Sequence, residues 1–253
     1  FINAKSSKEI IFTSGTTDSL NKIIFGYFKN VLNNGDEVLI TKSEHASNVL
    51  PWFELADELN LKISYIPLDE NKKIKINNFI NSITDNTKVV SLAHITNVVG
   101  DIRPLKEIIE YCHKNNILVI VDGAQSVAHI PVDVQNLDID FLAFSAHKMC
   151  GPTGVGVLYG KEKLLNNIKP IIFGGGMNSS FTPEGIREYK ELPYLLEAGT
   201  PNIAGVIGFG TIIKYLKNIG LDKIKELEKI KNAAEPTQNK IEIWLFNWLY
   251  KKD

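Results

Sequence analysis

Short apolar runs recur along the chain at 9–13, 37–41, 62–67, 87–93, 117–121, 141–145 and 155–159, and the first six alternate with helical stretches near 17–32, 46–60, 76–83 and 104–115. Such an alternation is a βαβα series, and right-handed crossovers turn it into a mainly parallel sheet with helices on both faces. Ile117–Val121 (ILVIV) and Phe141–Phe144 (FLAF) are continuously apolar rather than alternating, as strands buried on both faces are. The expected fold class is α/β, with a mainly parallel seven-stranded sheet. The run 155–159 has no helix before it and is the candidate for an antiparallel strand. At 253 residues, 44% of them apolar, the chain can bury a large core.

The ends of these runs carry the chemistry. Asp122-Gly-Ala-Gln125 follows one strand, and Ser145-Ala-His147-Lys148 with Gly151-Pro-Thr-Gly154 follows the next. In open α/β sheets, ligands bind at the carboxyl edge of the strands. A lone Asp and a lone Lys at strand ends are more commonly a cap and a solvated charge. Pyridoxal phosphate (PLP), however, requires a lysine for a Schiff base, an acid for its pyridine nitrogen and donors for its phosphate. Lys148, Asp122, and Ser145 with His147 are candidates for those roles. The segment Ile11–Asn21 (IFTSGTTDSLN) reads as a strand, a turn and a helix beginning near Thr17. Its N-terminus would place Thr16 and Thr17 to hold a phosphate. After the runs at 37–41 and 87–93, His45 could lay its ring over the cofactor and Asn97 could bond its phenolic oxygen.

With these pieces assembled, the chain resembles the class V, fold-type I PLP-dependent enzymes. It most resembles the group II cysteine desulfurases of the SUF type, with the neighbouring selenocysteine lyases. The strings that carry the resemblance are Phe1-Ile-Asn-Ala4, Phe12-Thr-Ser-Gly-Thr-Thr17, Glu44-His45, Asn97-Val-Val-Gly100, Asp122-Gly-Ala-Gln125, Ser145-Ala-His-Lys148, Gly151-Pro-Thr-Gly-Val-Gly156, Gly174-Gly-Gly176 and Glu197-Ala-Gly-Thr-Pro-Asn202. They run in family order from residue 1 to about residue 230.

The resemblance implies a Schiff-base Lys148, a pyridinium partner Asp122 and a stacking, catalytic His45. It places Gln125 and Asn97 near the phenolic oxygen and Thr16, Thr17, Ser145 and His147 at the phosphate. It implies that Thr200 reaches the phosphate of a partner subunit's cofactor, and hence a homodimer. Ser14 departs from the pattern, since many SUF-type members carry arginine there. The implied activity is conversion of L-cysteine to L-alanine with sulfur passed to an acceptor protein for iron–sulfur cluster assembly. The large, PLP-binding domain is expected over 1–231, with an unmatched tail at 232–253. Asn232–Asn239 reads as turn-like and Lys240–Asp253 as an aromatic, apolar end. The small C-terminal domain that carries the family's catalytic cysteine is expected to be absent from these residues.

Two other readings stay open: another class V activity, such as selenocysteine lyase, aminotransferase or epimerase, and a truncated remnant that binds PLP or a partner subunit. A net charge of −1 and the lack of a basic face interleaved with aromatics argue against a nucleic-acid partner. No apolar run approaches membrane-spanning length, so no membrane partner is expected. Cys112 and Cys150 suggest a reducing compartment rather than a disulfide scaffold, and both are read as packing residues. The expected location is the cytoplasm, with an organelle as the alternative.

Overall fold

The computed structural model describes residues 1–234. All seven expected strands form: β1 (Ile10–Thr13), β2 (Glu37–Ile40), β3 (Lys62–Tyr65), β4 (Thr87–Ala93), β5 (Leu118–Asp122), β6 (Phe141–Ser145) and β7 (Gly156–Gly160). They make one seven-stranded sheet in the order β1-β7-β6-β5-β4-β2-β3. β3, β2, β4, β5 and β6 are parallel neighbours, whereas β7 runs antiparallel to both β6 and β1. The run at 155–159 is therefore the antiparallel member. A short 3-10 turn (Ala146–Met149) and a loop join β6 to β7, and without a crossover element the chain can only return antiparallel.

Four expected helical stretches form as α1 (Thr16–Gly26), α2 (Leu50–Leu59), α3 (Ile76–Ser82) and α4 (Leu105–Lys114). The first two are shorter than expected. α1 stops at Gly26, whose carbonyl accepts from Lys169 N–H at 2.9 Å, and a Cβ there would lie 2.8 Å from Lys169 O. The crossing strand of chain thus takes the space and the acceptor that a continued helix would use. The stretch at 46–60 splits into a 3-10 turn (Ala46–Asn48) and α2, with Pro51 in the first turn of α2, where its missing N–H costs nothing.

The sequence reading assigned nothing to α5 (Ser126–His129), α6 (Glu162–Leu165), the hairpin β8 (Asn178–Phe181) and β9 (Arg187–Tyr189), α7 (Ile203–Ile219) and α8 (Leu221–Ala234). α8 crosses the expected boundary at 231, so Asn232–Ala234 are helical rather than turn-like. The rest of the tail, including Lys240–Asp253, lies outside the described residues.

Period-two geometry divides each strand between two hydrophobic layers. In β5, Val119 and Val121 join Leu105, Ile108, Ile109 and Cys112 of α4 on one face. Ile120 joins Leu20, Ile23 and Ile24 of α1 and Trp52 and Leu55 of α2 on the other. Helices therefore cover both faces, as the continuous apolar runs require. Cys112 is fully buried, and burial pushes its thiol up to about 12, so it packs as a small apolar residue. With both faces covered, the carboxyl ends of β1, β2, β4, β5 and β6 converge on one edge, where the chain leaves the sheet in polar loops.

Candidate functional site

Asp122 is the last residue of β5 and is 4% exposed. The apolar strand carries its carboxylate out of the core only as far as the sheet edge. Its Oδ1 accepts from Ala124 N–H at 2.9 Å. Burial raises its pKa above the usual carboxylate range, opposed by the Ala124 bond and by the charge of Lys148. A buried carboxylate with a raised pKa at the edge of a cavity suits a cationic partner.

Lys148 arrives from the neighbouring strand. β6 ends at Ser145, and the 3-10 turn after it carries His147 and Lys148 before Cys150 reverses the chain in the left-handed region, with φ 61°. Gly151 N–H closes the turn on Ala146 O at 2.9 Å. Lys148 and Asp122 line one cavity of about 240 Å³, together with Thr16, Thr17, His45, Asn97, Gln125, Ser145 and His147.

The N-terminus of α1 is drawn into this cavity by a close backbone approach. A Cβ on Gly156 of β7 would lie 2.4 Å from Gly15 Cα, so only glycine lets the turn before α1 sit against the sheet. In that position Ser145 Oγ accepts from Thr16 N–H at 2.7 Å and pairs with Thr16 Oγ1 at 2.7 Å. Thr17 Oγ1 pairs with Ser47 Oγ at 2.7 Å. Ser47 N–H in turn donates to His45 Nδ1 at 3.2 Å. Because that nitrogen accepts, a neutral His45 carries its proton on Nε2. Ser47 was not singled out from sequence, although it sits two residues past His45.

Nine of the ten candidate residues thus meet in one cavity. Thr200 does not. It follows Gly199 (φ 89°) and lines an adjoining groove of about 660 Å³ with Thr13, Ser14 and Glu197, and with Thr17, which lines both. That segment is tied to β1 by Glu197 Oε1, which accepts from Phe12 N–H at 2.7 Å. Ala93, Ile95 and Ala124 also line the cavity, and nothing in their residue types announces it. Cys150 is half-buried and does not line the cavity, and burial raises its thiol pKa.

The donor set has the composition a phosphorylated heteroaromatic aldehyde needs. It offers a buried acid, a primary amine, an imidazole and a row of hydroxyls at a helix N-terminus, where the dipole favours an anion.

Comparison with known proteins agrees with this geometry. The family model for aminotransferase class-V matches residues 1–242. A probable cysteine desulfurase of Halalkalibacterium halodurans is 46% identical over 228 residues, covering 90% of this chain and 56% of that protein. A cysteine desulfurase of Wigglesworthia glossinidia brevipalpis is 41% identical over 230 residues. Among solved structures, the cysteine desulfurase CsdA from Escherichia coli superposes with a TM-score of 0.85 at 38% identity, covering 88% of this chain and 55% of that one. The cysteine desulfurase of Thermococcus onnurineus superposes with a TM-score of 0.84 at 36% identity. The chain spans about half the length of the curated relatives it matches. With the model matched along most of its length and the sheet edge arranged as described, the chain belongs to the aminotransferase class-V family.

Proposed function

We propose that residues 1–234 are the cofactor-binding, large domain of a PLP-dependent cysteine desulfurase acting on L-cysteine. The observation that carries this is the meeting of buried Asp122 with Lys148 in one cavity at the carboxyl edge of the sheet. The names of the relatives, cysteine desulfurases at 41% and 46% identity, support the substrate.

PLP, when bound, supplies an electron sink for the charge left at Cα of an amino acid. Asp122 holds a proton on the ring nitrogen, for which its raised pKa and burial suit it. Lys148 Nζ would hold the cofactor's aldehyde carbon and is the base that would move the Cα proton. Thr16, Thr17, Ser145 and His147 would hold the phosphate. His45 would cover the ring, fixed through Ser47 and Thr17. Asn97 and Gln125 would serve the phenolic oxygen. Neither Cys112 nor Cys150 lines the cavity, so sulfur transfer draws its thiolate from outside the described residues.

Thr200 is read as serving a second subunit's phosphate, which its exposure and its place outside the chain's own cavity support. The assembly is then a homodimer that passes sulfur to an acceptor protein for iron–sulfur cluster assembly. No helix among the described residues is long and apolar enough to cross a membrane, and we place the protein in the cytoplasm. Incubation with PLP, borohydride reduction and peptide mapping tests the reading. A cofactor label on Lys148 is expected, and a label elsewhere or none overturns it.

A further inference from the structure

The loops after β2 and β4 carry His45 and Asn97, and one buried side chain joins them. Arg103 is 2% exposed. Its Nη2 donates to Ser43 Oγ at 2.5 Å and to Thr41 Oγ1 at 3.3 Å, and lies 3.9 Å from Glu44 Oε1, all on the segment leading into His45. Its Nε lies 3.6 Å from Asp101 Oδ2 on the loop that carries Asn97. That loop is closed at its base by Arg103 N–H donating to His94 O at 2.9 Å and by a bridge between Ile95 and Ile102. Glu44 braces the same junction from the other side, where its Oε2 accepts from Ala93 N–H at 2.7 Å and Asn48 Nδ2 at 3.1 Å.

This arrangement is a poor way to stabilise a core. Burial lowers the pKa of Arg103 and raises those of Glu44 and Asp101. Arg103 Nε and Nη1 and Asp101 Oδ2 are buried without a hydrogen-bond partner. Buried charges so incompletely paired cost more than apolar packing of the same volume. What the cluster does achieve is a fixed distance between two loop segments that share no backbone ladder. We propose that Arg103 is a positioning residue for the cofactor ring, its guanidinium clamping the His45 segment to the Asn97 loop across the carboxyl ends of β2 and β4. The role rests on the cofactor reading given above.

Arg103→Lys keeps the charge but not the planar fork. Ser43→Ala removes one arm of the clamp and leaves every buried charge in place, so it tests the role even if the arginine variant folds poorly. Hydrogen exchange of the cofactor-free chain is expected to rise about tenfold in segments 43–48 and 94–102 in both variants, the size of effect expected for one charge-assisted hydrogen bond lost. Exchange in β5 and β6 should stay unchanged. With PLP added, Lys148 is still labelled, but the midpoint of the bound cofactor's absorption change with pH shifts in both variants. A purely structural role would lower the melting temperature and leave that midpoint where it was. Two failures are distinguishable. An unsubstituted chain that acquires no label on Lys148 overturns the cofactor reading. A labelled chain whose variants show unchanged loop exchange and an unchanged midpoint overturns the role of Arg103.

Discussion

The sheet holds a buried aspartate at each of its two edges, and they are treated in opposite ways. Asp140, just before β6 at the amino edge, is 2% exposed. It accepts from His113 Nε2 at 2.9 Å, Lys161 Nζ at 2.8 Å and Val119 N–H at 2.9 Å. Its pKa falls below the usual value despite burial, because those bonds outweigh the burial that opposes them. Asp122, at the carboxyl edge, has a raised pKa. Similar burial thus accompanies a structural ion cluster with a lowered pKa at one edge, and a carboxylate with a raised pKa lining a cavity at the other. A buried charge alone does not mark a site; a raised carboxylate pKa beside an open cavity marks a candidate.

The largest effect expected is at Lys148. Lys148→Ala should abolish borohydride-trapped labelling altogether while leaving far-UV circular dichroism unchanged, and persistence of the label would remove the carboxyl edge from the comparison. Asp140→Asn should lower unfolding free energy by about 2 kcal/mol, since it removes the charged hydrogen bonds to His113 and Lys161 and leaves both cations with the more exposed Asp138 alone; denaturant titration measures this. Asp122→Asn should do the reverse of Asp140→Asn. In the cofactor-free chain it should leave stability unchanged or higher, yet weaken PLP binding by about 1–3 kcal/mol through loss of a charged hydrogen bond. Equal cofactor affinity in parent and variant would break the contrast between the two aspartates.

Stability against pH sharpens the same contrast. Asp140 has a lowered folded pKa, so its contribution is fully present above the unfolded value of 3.8 and is lost as pH falls through the folded one. For Asp122 the folded pKa is raised, so its ionisation penalises the fold, growing from pH 3.8 upward and complete above the raised value. His113 has a raised folded pKa, so its stabilisation is fully present below 6.5 and is lost as pH rises through that raised value. Asp140→Asn should therefore lose its effect at the acid end, and His113→Gln should be most damaging below pH 6.5; denaturation curves across pH read both. The smallest effect is expected at Thr16→Ala. It removes one neutral side-chain bond, to Ser145, and should cost about 1 kcal/mol.

The central strands β2, β4, β5 and β6 were legible because parallel strands buried on both faces need uninterrupted apolar runs, and each of the seven lay within two residues of its expected bounds. α7 went unassigned, although Phe209 and Leu216 are buried along it. Its first half is rich in glycine and exposed apolar residues, which blur helical periodicity. α5 and α6 are too short to show a period at all. In the cavity, Asp122, Lys148 and the threonines stood out because their residue types suit a known chemistry at strand ends. Arg103 did not, because its value lies in contacts to Ser43 and Glu44 about sixty positions away.

By itself, the order of apolar runs and polar strand ends determined the α/β class, the parallel sheet and the edge at which ligand chemistry gathers, since each follows from local pattern and chain connectivity. Tertiary structure alone decided that α1 ends where Lys169 crosses Gly26, that Thr200 lines a groove that it shares with Thr17 alone of the candidates, and that one buried aspartate has a lowered pKa while the other has a raised one. Those outcomes depend on which distant groups come within hydrogen-bond reach, and no sequence period encodes that distance.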